Sequence, residues 1–396
     1  YVVDLSDPLN PVLVNTYANN FTTSHILYID RDIGELWIIG SDNGCRIIDL
    51  TIDPVNLVEV GTFTERYVHD MYARNGLACL SEINNDLQEL ADSSDPSNIT
   101  VLSSWNTTGL ATHNCWANDA QTLLVTTDEV TGGHAELYDI SDPFSPAPLV
   151  GEYDPNPSAI VHNAYFDDED NQRVAISHYA LGLKLIDVSQ PSNPIVLGEY
   201  DTFPSGDGGF DGAWGVYPFD ERGLIMVSDI STGLYVIRYE PTGGVVAGTI
   251  RDGVDGTSVP GGRVVALQDG AETLVGEDGG YALLAEAGPV TLRVSAFGYA
   301  TRIIDVGTMP LGGRIDADLM LDRLPRVGLT GTVSAAGGGA IEGATVRVDG
   351  SMLSVVTGPD GTFAFPDVAV GQQIVTADAF GYSPAETRLV LAAGVG

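Results

Sequence analysis

One phrase, repeated along the first 240 residues, constrains this chain more than any other feature. An apolar strand ends in Asp, a small polar segment follows, usually carrying a Pro, and a second strand begins. It reads VVDLSDPLNPVLV (2–14), IIDLTIDPVNLVEVG (47–61), LADSSDPSNITVL (90–102), LYDISDPFSPAPLVGEY (137–153) and LIDVSQPSNPIVLGEY (185–200). The marker prolines Pro8, Pro54, Pro96, Pro143 and Pro191 are spaced 46, 42, 47 and 48 residues apart. A sixth strand, GLYVIRY (233–239), closes the series without its proline turn. Two further short strands fall between markers, as in HNAYFDD (162–168) and QRVAISH (172–178), before GLKLIDV and PIVLGEY. Four strands in a unit of this length describe a β-propeller blade, with the first strand innermost and the fourth at the rim. A β-solenoid is the competing repeat fold, but its coils are usually shorter and simpler. The repeat predicts a propeller over 1–240, with five recognisable blades and an incomplete N-terminal one.

After Tyr239 a second, longer repeat takes over. AGTI (247–250) pairs with TGTV (330–333), EDGGY (277–281) with GPDGTF (358–363), and AFGY (296–299) with AFGY (379–382), at offsets of 82–83 residues. Each copy reads as strands separated by Gly- and Asp-rich turns, the pattern of a small seven-stranded sandwich. The predicted modules span 244–322 and 327–396, joined by the stiff DRLPR (322–326). Phe297 and Phe380 are expected at equivalent core positions. The first module closes with RIDADLMLD (314–322), and the second is expected to lack that strand within 327–396. Residues further on would supply it in cis, or another copy would donate it, with the strand at Tyr1 as donor. No stretch keeps a 3.6-residue apolar period, and Gly (47) and Pro (21) are abundant, so the fold class is all-β throughout.

The wording of the first region resembles the choice-of-anchor B proteins with LVIVD-type repeats. The likeness rests on VHD (68–70), THNCW (112–116), ISHYALGLKLIDVSQPSNP (176–194), DGAWGVYPF (211–219) and VSDISTGLYVIR (227–238). It implies a secreted bacterial protein with a separate surface-anchoring signal, blades upstream of Tyr1, and no firmly attached enzymatic activity. The two later modules resemble carboxypeptidase regulatory-like domains, transthyretin-like sandwiches that serve as spacers and binding modules.

Charge narrows the partners. The net charge is −37 and Lys184 is the only lysine, so phosphate backbones and anionic lipid surfaces are repelled. Nucleic acid is excluded as a partner, and no apolar run is long enough to span a membrane. Cys45, Cys79 and Cys115 lack CxxC spacing and read as buried thiols. Asn20, Asn98 and Asn106 begin glycosylation sequons by pattern alone. The expected location is extracellular or at the cell surface, with the export signal and anchor outside this stretch.

The histidines carry the one chemical signal. His25, His69, His113 and His162 open successive first strands at spacings of 44, 44 and 49, and Trp214 takes that region in the fifth unit. A second series, Asp42, Glu82, Asp128, His178 and Asp229, follows a small residue at the end of each second strand. Antiparallel strands bring the start of one to the end of the next, so both series are expected at one channel mouth. Imidazole with carboxylate suits zinc, manganese or iron, whereas calcium would prefer the acidic loops Asp167–Asp170 and Asp207–Asp211. The alternative is a hydrogen bond repeated within each blade, His69 with Asp70 for example. The expected function is a non-enzymatic surface scaffold whose propeller binds a protein or glycan. A metal-dependent hydrolase of lactonase or esterase type is the alternative.

Overall fold

In a computed structural model, which describes residues 1–167 and 171–394, every regular element is a β-strand. The chain forms two compact units, Tyr1–Pro241 and Thr242–Gly396.

The first unit is a succession of separate antiparallel sheets, none of which closes on itself. Sheet one runs Ile26–Asp30, Glu35–Ile39, Cys45–Asp49, Val58–Phe63 in simple up-and-down order. Sheet two has Asp70–Arg74, Leu77–Glu82, Leu87–Asp92 and Thr100–Asn106, and sheet three Thr112–Ala117, Leu123–Asp128, Ala135–Asp139 and Leu149–Tyr153. Sheet four contains Ala164–Phe166, Arg173–Ser177, Leu183–Asp187 and Ile195–Tyr200. The fifth has three strands, Ala213–Tyr217, Leu224–Asp229 and Gly233–Arg238, and Val2–Asp4 pairs with Val12–Asn15 in an N-terminal hairpin.

The recurring phrase has a local cause. The Asp that ends each third strand accepts the N–H two residues on: Asp49 from Thr51, Asp92 from Ser94, Asp139 from Ser141 and Asp187 from Ser189, at 2.8–3.1 Å. The Asp before the proline does the same, Asp53 with Val55 and Asp95 with Ser97. Such Asx turns reverse the chain without a backbone ladder. These hydrogen bonds hold Asp49, Asp53, Asp92 and Asp95 below the usual carboxylate range, so part of the acidic excess is turn chemistry.

The sheets stack through apolar faces. One cluster joins Trp37, Ile39 and Ile47 of sheet one to Met71, Ala73 and Leu80 of sheet two. Another joins Val125 and Leu137 to Ala164, Val174 and Ile176 of the next pair. Cys45, Cys79 and Cys115 are buried free thiols inside this stack.

The second unit holds the two sandwiches. In the first, Gly243–Asp252 pairs with Gly280–Glu286 and, in parallel, with Arg314–Asp316 and Leu319–Leu321. Its opposite layer contains Glu272–Leu274, Arg263–Ala266, Gly288–Ser295 and Arg302–Met309. The core between the layers includes Val246, Ile250, Tyr281, Leu292 and Leu321. In the second, Arg326–Thr332 pairs with Thr362–Ala369 alone among the described residues, opposite a four-stranded layer from Ser354–Val356 to Ala385–Leu391. Val395 and Gly396 lie outside the described residues.

The two AFGY copies do not occupy equivalent environments, contrary to expectation. Phe297 packs against the core of the second sandwich, whereas Phe380 is fully exposed. Tyr299 packs on the core of the first and donates to Asp252, while Tyr382 is half exposed. The motif sits on a turn after an inner strand. Its burial therefore depends on what covers that turn: the core of the second sandwich and its turn at Gly350 do so for Phe297.

Candidate metal centre

Each histidine stands where a first strand begins, and the backbone fixes it there. His25, His69 and His162 donate their N–H groups to Ile39, Ser81 and Ser177 on the neighbouring second strand. His113 is the extra residue of a bulge, since Thr112 opposes Asp128 and Asn114 opposes Thr127. Trp214 is the extra residue of the matching bulge, between Ala213 opposite Asp229 and Gly215 opposite Ser228. Bulges re-aim a side chain out of the strand's alternation.

The rings form a continuous row. Centroids lie 4.3 Å apart for His25 and His69, 4.6 Å for His69 and His113, 4.3 Å for His113 and His162, and 5.3 Å for His162 and Trp214. His25 is exposed, whereas His113 and His162 keep 2 and 4 % of their surface. Burial leads the causes that push the ring pKa values of His69 and His162 down to about 4 and about 3, and that of His113 also falls. These imidazoles are therefore neutral.

Hydrogen bonds settle their tautomers. His113 Nδ1 lies 3.2 Å from the His162 carbonyl oxygen, and His162 Nδ1 bonds the Trp214 carbonyl. A carbonyl only accepts, so both Nδ1 atoms carry the proton and both Nε2 atoms present lone pairs. Those Nε2 atoms face one carboxylate: Glu129 stands 3.7 Å from His113 Nε2 and 3.6 Å from His162 Nε2. His69 Nε2 is buried without a hydrogen-bond partner. One ligand atom each from His69, His113 and Glu129 lies within 4.8 Å of the others.

Glu129 was not singled out from the sequence. Its neighbour Asp128 was, but Asp128 is held by its own loop. It accepts from Thr107 Oγ1 at 2.5 Å, Gly109 N at 2.8 Å and Ala111 N at 3.1 Å. Glu129 donates its backbone N–H to Ala111 and so continues the ladder beside His113. Its carboxylate accepts the Tyr179 hydroxyl at 2.5 Å.

The other residues of the second series are likewise engaged locally. Asp42 accepts from Thr22 N at 2.8 Å and Thr22 Oγ1 at 2.5 Å. Asp229 accepts from Ser231 N and Thr232 N. Glu82 accepts from Asn85 and lies beside Arg66 and the buried Glu89. His178 is buried with no partner for either ring nitrogen among the described residues. The strand pairing brings these residues to sheet ends, but adjacent side chains point to opposite sides, so the carboxylate that faces the histidine row is Glu129, the next one along from Asp128. The repeated His69–Asp70 bond is not formed: Asp70 accepts from Asn114 Nδ2 at 2.9 Å, and Asn114 Oδ1 accepts from Ala164 N, linking three sheets.

Of the acidic loops, Asp167 is paired with Arg173 at 2.6 Å, and Asp168, Glu169 and Asp170 lie outside the described residues. Asp211 accepts from Ser231, and Asp207 is exposed.

At the far ends of the same first strands lies a cavity of about 580 Å³. Tyr28, Tyr72, Trp116, Tyr165 and Tyr217 line it, one from each of the five sheets. Trp116 sits at its centre, 4.9 Å from Tyr72, 4.8 Å from Tyr165 and 5.3 Å from Phe219. Arg74 is held at the edge by Asp32, at 2.9 Å, and by Asp119.

Comparison with known families agrees with this division. The LVIVD repeat matches residues 1–19 and 179–202, and the carboxypeptidase regulatory-like domain matches residues 328–396. No curated protein matches the chain. Stretches of the first unit are thus similar to LVIVD repeats, and residues 328–396 of the second to a carboxypeptidase regulatory-like domain.

Proposed function

We propose that this is a non-enzymatic scaffold of the cell surface or extracellular space, with a propeller-like first unit as its binding face and the sandwiches as spacers. In this reading the five sheets are consecutive blades of the choice-of-anchor B type, and 244–322 is a second regulatory-like module. The observation that carries it is the convergence of all five first strands on one aromatic-lined cavity. Aromatic faces with a few fixed charges at the rim suit a protein side chain or a sugar ring. Among these, a glycan is favoured, because carboxylates and Arg74 at the rim supply hydrogen bonds to hydroxyls. The chain should bind members of a glycan array, and Tyr217→Ala, at a half-exposed lining position, should weaken that binding about tenfold or more with the melting temperature kept. Binding that survives Tyr217→Ala, or none to any glycan or intact cell, would overturn the reading.

The hydrolase alternative draws on the histidine row. A catalytic metal keeps a coordination position open to water and substrate. His113 and His162 are buried, which leaves a substrate little access to the row. This favours a structural hub. Metal-dependent turnover in a panel of lactones and esters would reverse that preference.

A further inference from the structure

We propose that His69, His113 and Glu129 together hold one divalent transition-metal ion, through two imidazole nitrogens and one carboxylate oxygen, with His162 packed beside them. Lone pairs facing lone pairs carry the argument. His113 and His162 have each committed their Nδ1 proton to a carbonyl, so their Nε2 atoms have no hydrogen to offer Glu129. Glu129 in turn accepts from Tyr179 and donates nothing. His69 adds a third buried, unpartnered nitrogen. Buried acceptors that converge without a donor between them repel one another unless a cation sits among them.

The distances agree with an ion rather than with hydrogen bonds. His113 Nε2 stands 3.7 Å from one Glu129 oxygen and His162 Nε2 3.6 Å from the other, both too long for hydrogen bonding. The His113 separation is a little longer than the edge of a tetrahedron with metal–ligand bonds of about 2.0–2.1 Å, roughly 3.3–3.4 Å. A donor set of two imidazoles and one carboxylate selects a first-row transition metal over calcium or magnesium, which demand oxygen. The surroundings supply what ligands usually require. The His113 ring is oriented by the His162 carbonyl on its Nδ1, and the carboxylate is oriented by the Tyr179 hydroxyl. His25, exposed at 4.3 Å from the His69 ring, covers the row from outside. The ligand set joins sheets two and three, so the ion would pin two separate sheets at one end.

The test uses the whole chain and zinc as the probe. After exhaustive chelation, zinc titration against a chromogenic competitor should give about one tight site per chain, which calcium does not fill. Glu129→Gln, nearly isosteric, should weaken that site about tenfold or more, and Tyr179→Phe, which removes only the orienting hydroxyl, by roughly 10–100-fold. Cobalt bound in place of zinc should show the intense visible bands of a four-coordinate ion, altered in Glu129→Gln. A neighbouring group of His134, Glu136 and Glu152 serves as the control, and His134→Ala should leave the affinity unchanged. No tight site, calcium filling it equally well, a site lost with His134, or unaltered zinc affinity in both Glu129→Gln and Tyr179→Phe would each overturn the assignment. Tyr179→Phe preserves the readout if Glu129→Gln fails to fold.

Discussion

At the scale of single residues, this chain places carboxylates in two opposite situations. Most terminate strands and accept backbone N–H groups in exposed turns, which keeps them ionised. Glu89 is the reverse case. It is buried on sheet two against Glu82, with Arg66 the only cation at hand among the described residues. Burial first, and then the second carboxylate, raises its pKa well above the ordinary carboxylate range. The folded state therefore keeps a proton that the unfolded chain releases above about pH 4.3. That contribution to stability is fully present below the unfolded value and is lost as pH rises through the folded one. Glu89→Gln carries a permanent equivalent of the protonated form. Its melting temperature should exceed that of the parent by more near about pH 9 than near about pH 5, with each 1 kcal/mol worth about 2–4 °C in a unit of this size. Thermal melts of both proteins at both pH values check this, and an equal gap would show that the pair shares no proton.

At the scale of elements, the fourth strands show how consecutive sheets lock together. Gly61 in Val58–Phe63 lies against the Pro96 carbonyl, and Gly151 in Leu149–Tyr153 against the Pro191 carbonyl. In each case a Cβ would overlap a backbone oxygen of the following repeat's proline turn. The same proline phrase that reveals the repeat is therefore also the tongue that enters the previous sheet's glycine groove. Gly151→Ala should cost about 3 kcal/mol or more, because backbone on both sides cannot retreat as a side chain would. Gly206→Ala, with open space around it, should stay within about 0.5 kcal/mol. Denaturant unfolding of the two variants against the parent measures the difference. This contact explains what the sequence disclosed and what it hid. The turns and strand order were legible because Asp, Pro and strand alternation act within a few residues. The histidine row was legible because its members recur once per repeat. Glu129 was not, since nothing periodic marks it, and the recurrent Asp128 beside it belongs to a loop that only the fold displays. Phe297 and Phe380 were misjudged for a related reason: identical motifs share a local turn, but their burial is decided by what packs on that turn.

At the scale of the whole chain, the unresolved question is which strand edges are occupied by other molecules. Gly243–Asp252 in the first sandwich is paired on both sides, with Arg314–Asp316 and Leu319–Leu321 along its parallel edge. The equivalent Arg326–Thr332 in the second has one strand partner among the described residues, and its other edge is unpaired within them. Open edges of this kind template pairing with another chain. The first unit offers a strand suited to the role. Val2–Asp4 belongs to a two-stranded hairpin whose Tyr1, Val3 and Leu5 are exposed. Our proposal is that this strand of one copy adds to the free edge of Arg326–Thr332 in another, which would build head-to-tail assemblies. Such pairing rests on backbone hydrogen bonds and apolar side chains, so it should resist salt, unlike contacts held by ion pairs. Sedimentation of residues 1–396 at micromolar concentration should therefore reveal oligomers that persist in high salt and disappear when residues 1–5 are removed. A chain that stays monomeric under those conditions, or oligomers indifferent to the deletion, would exclude donation between copies by this strand.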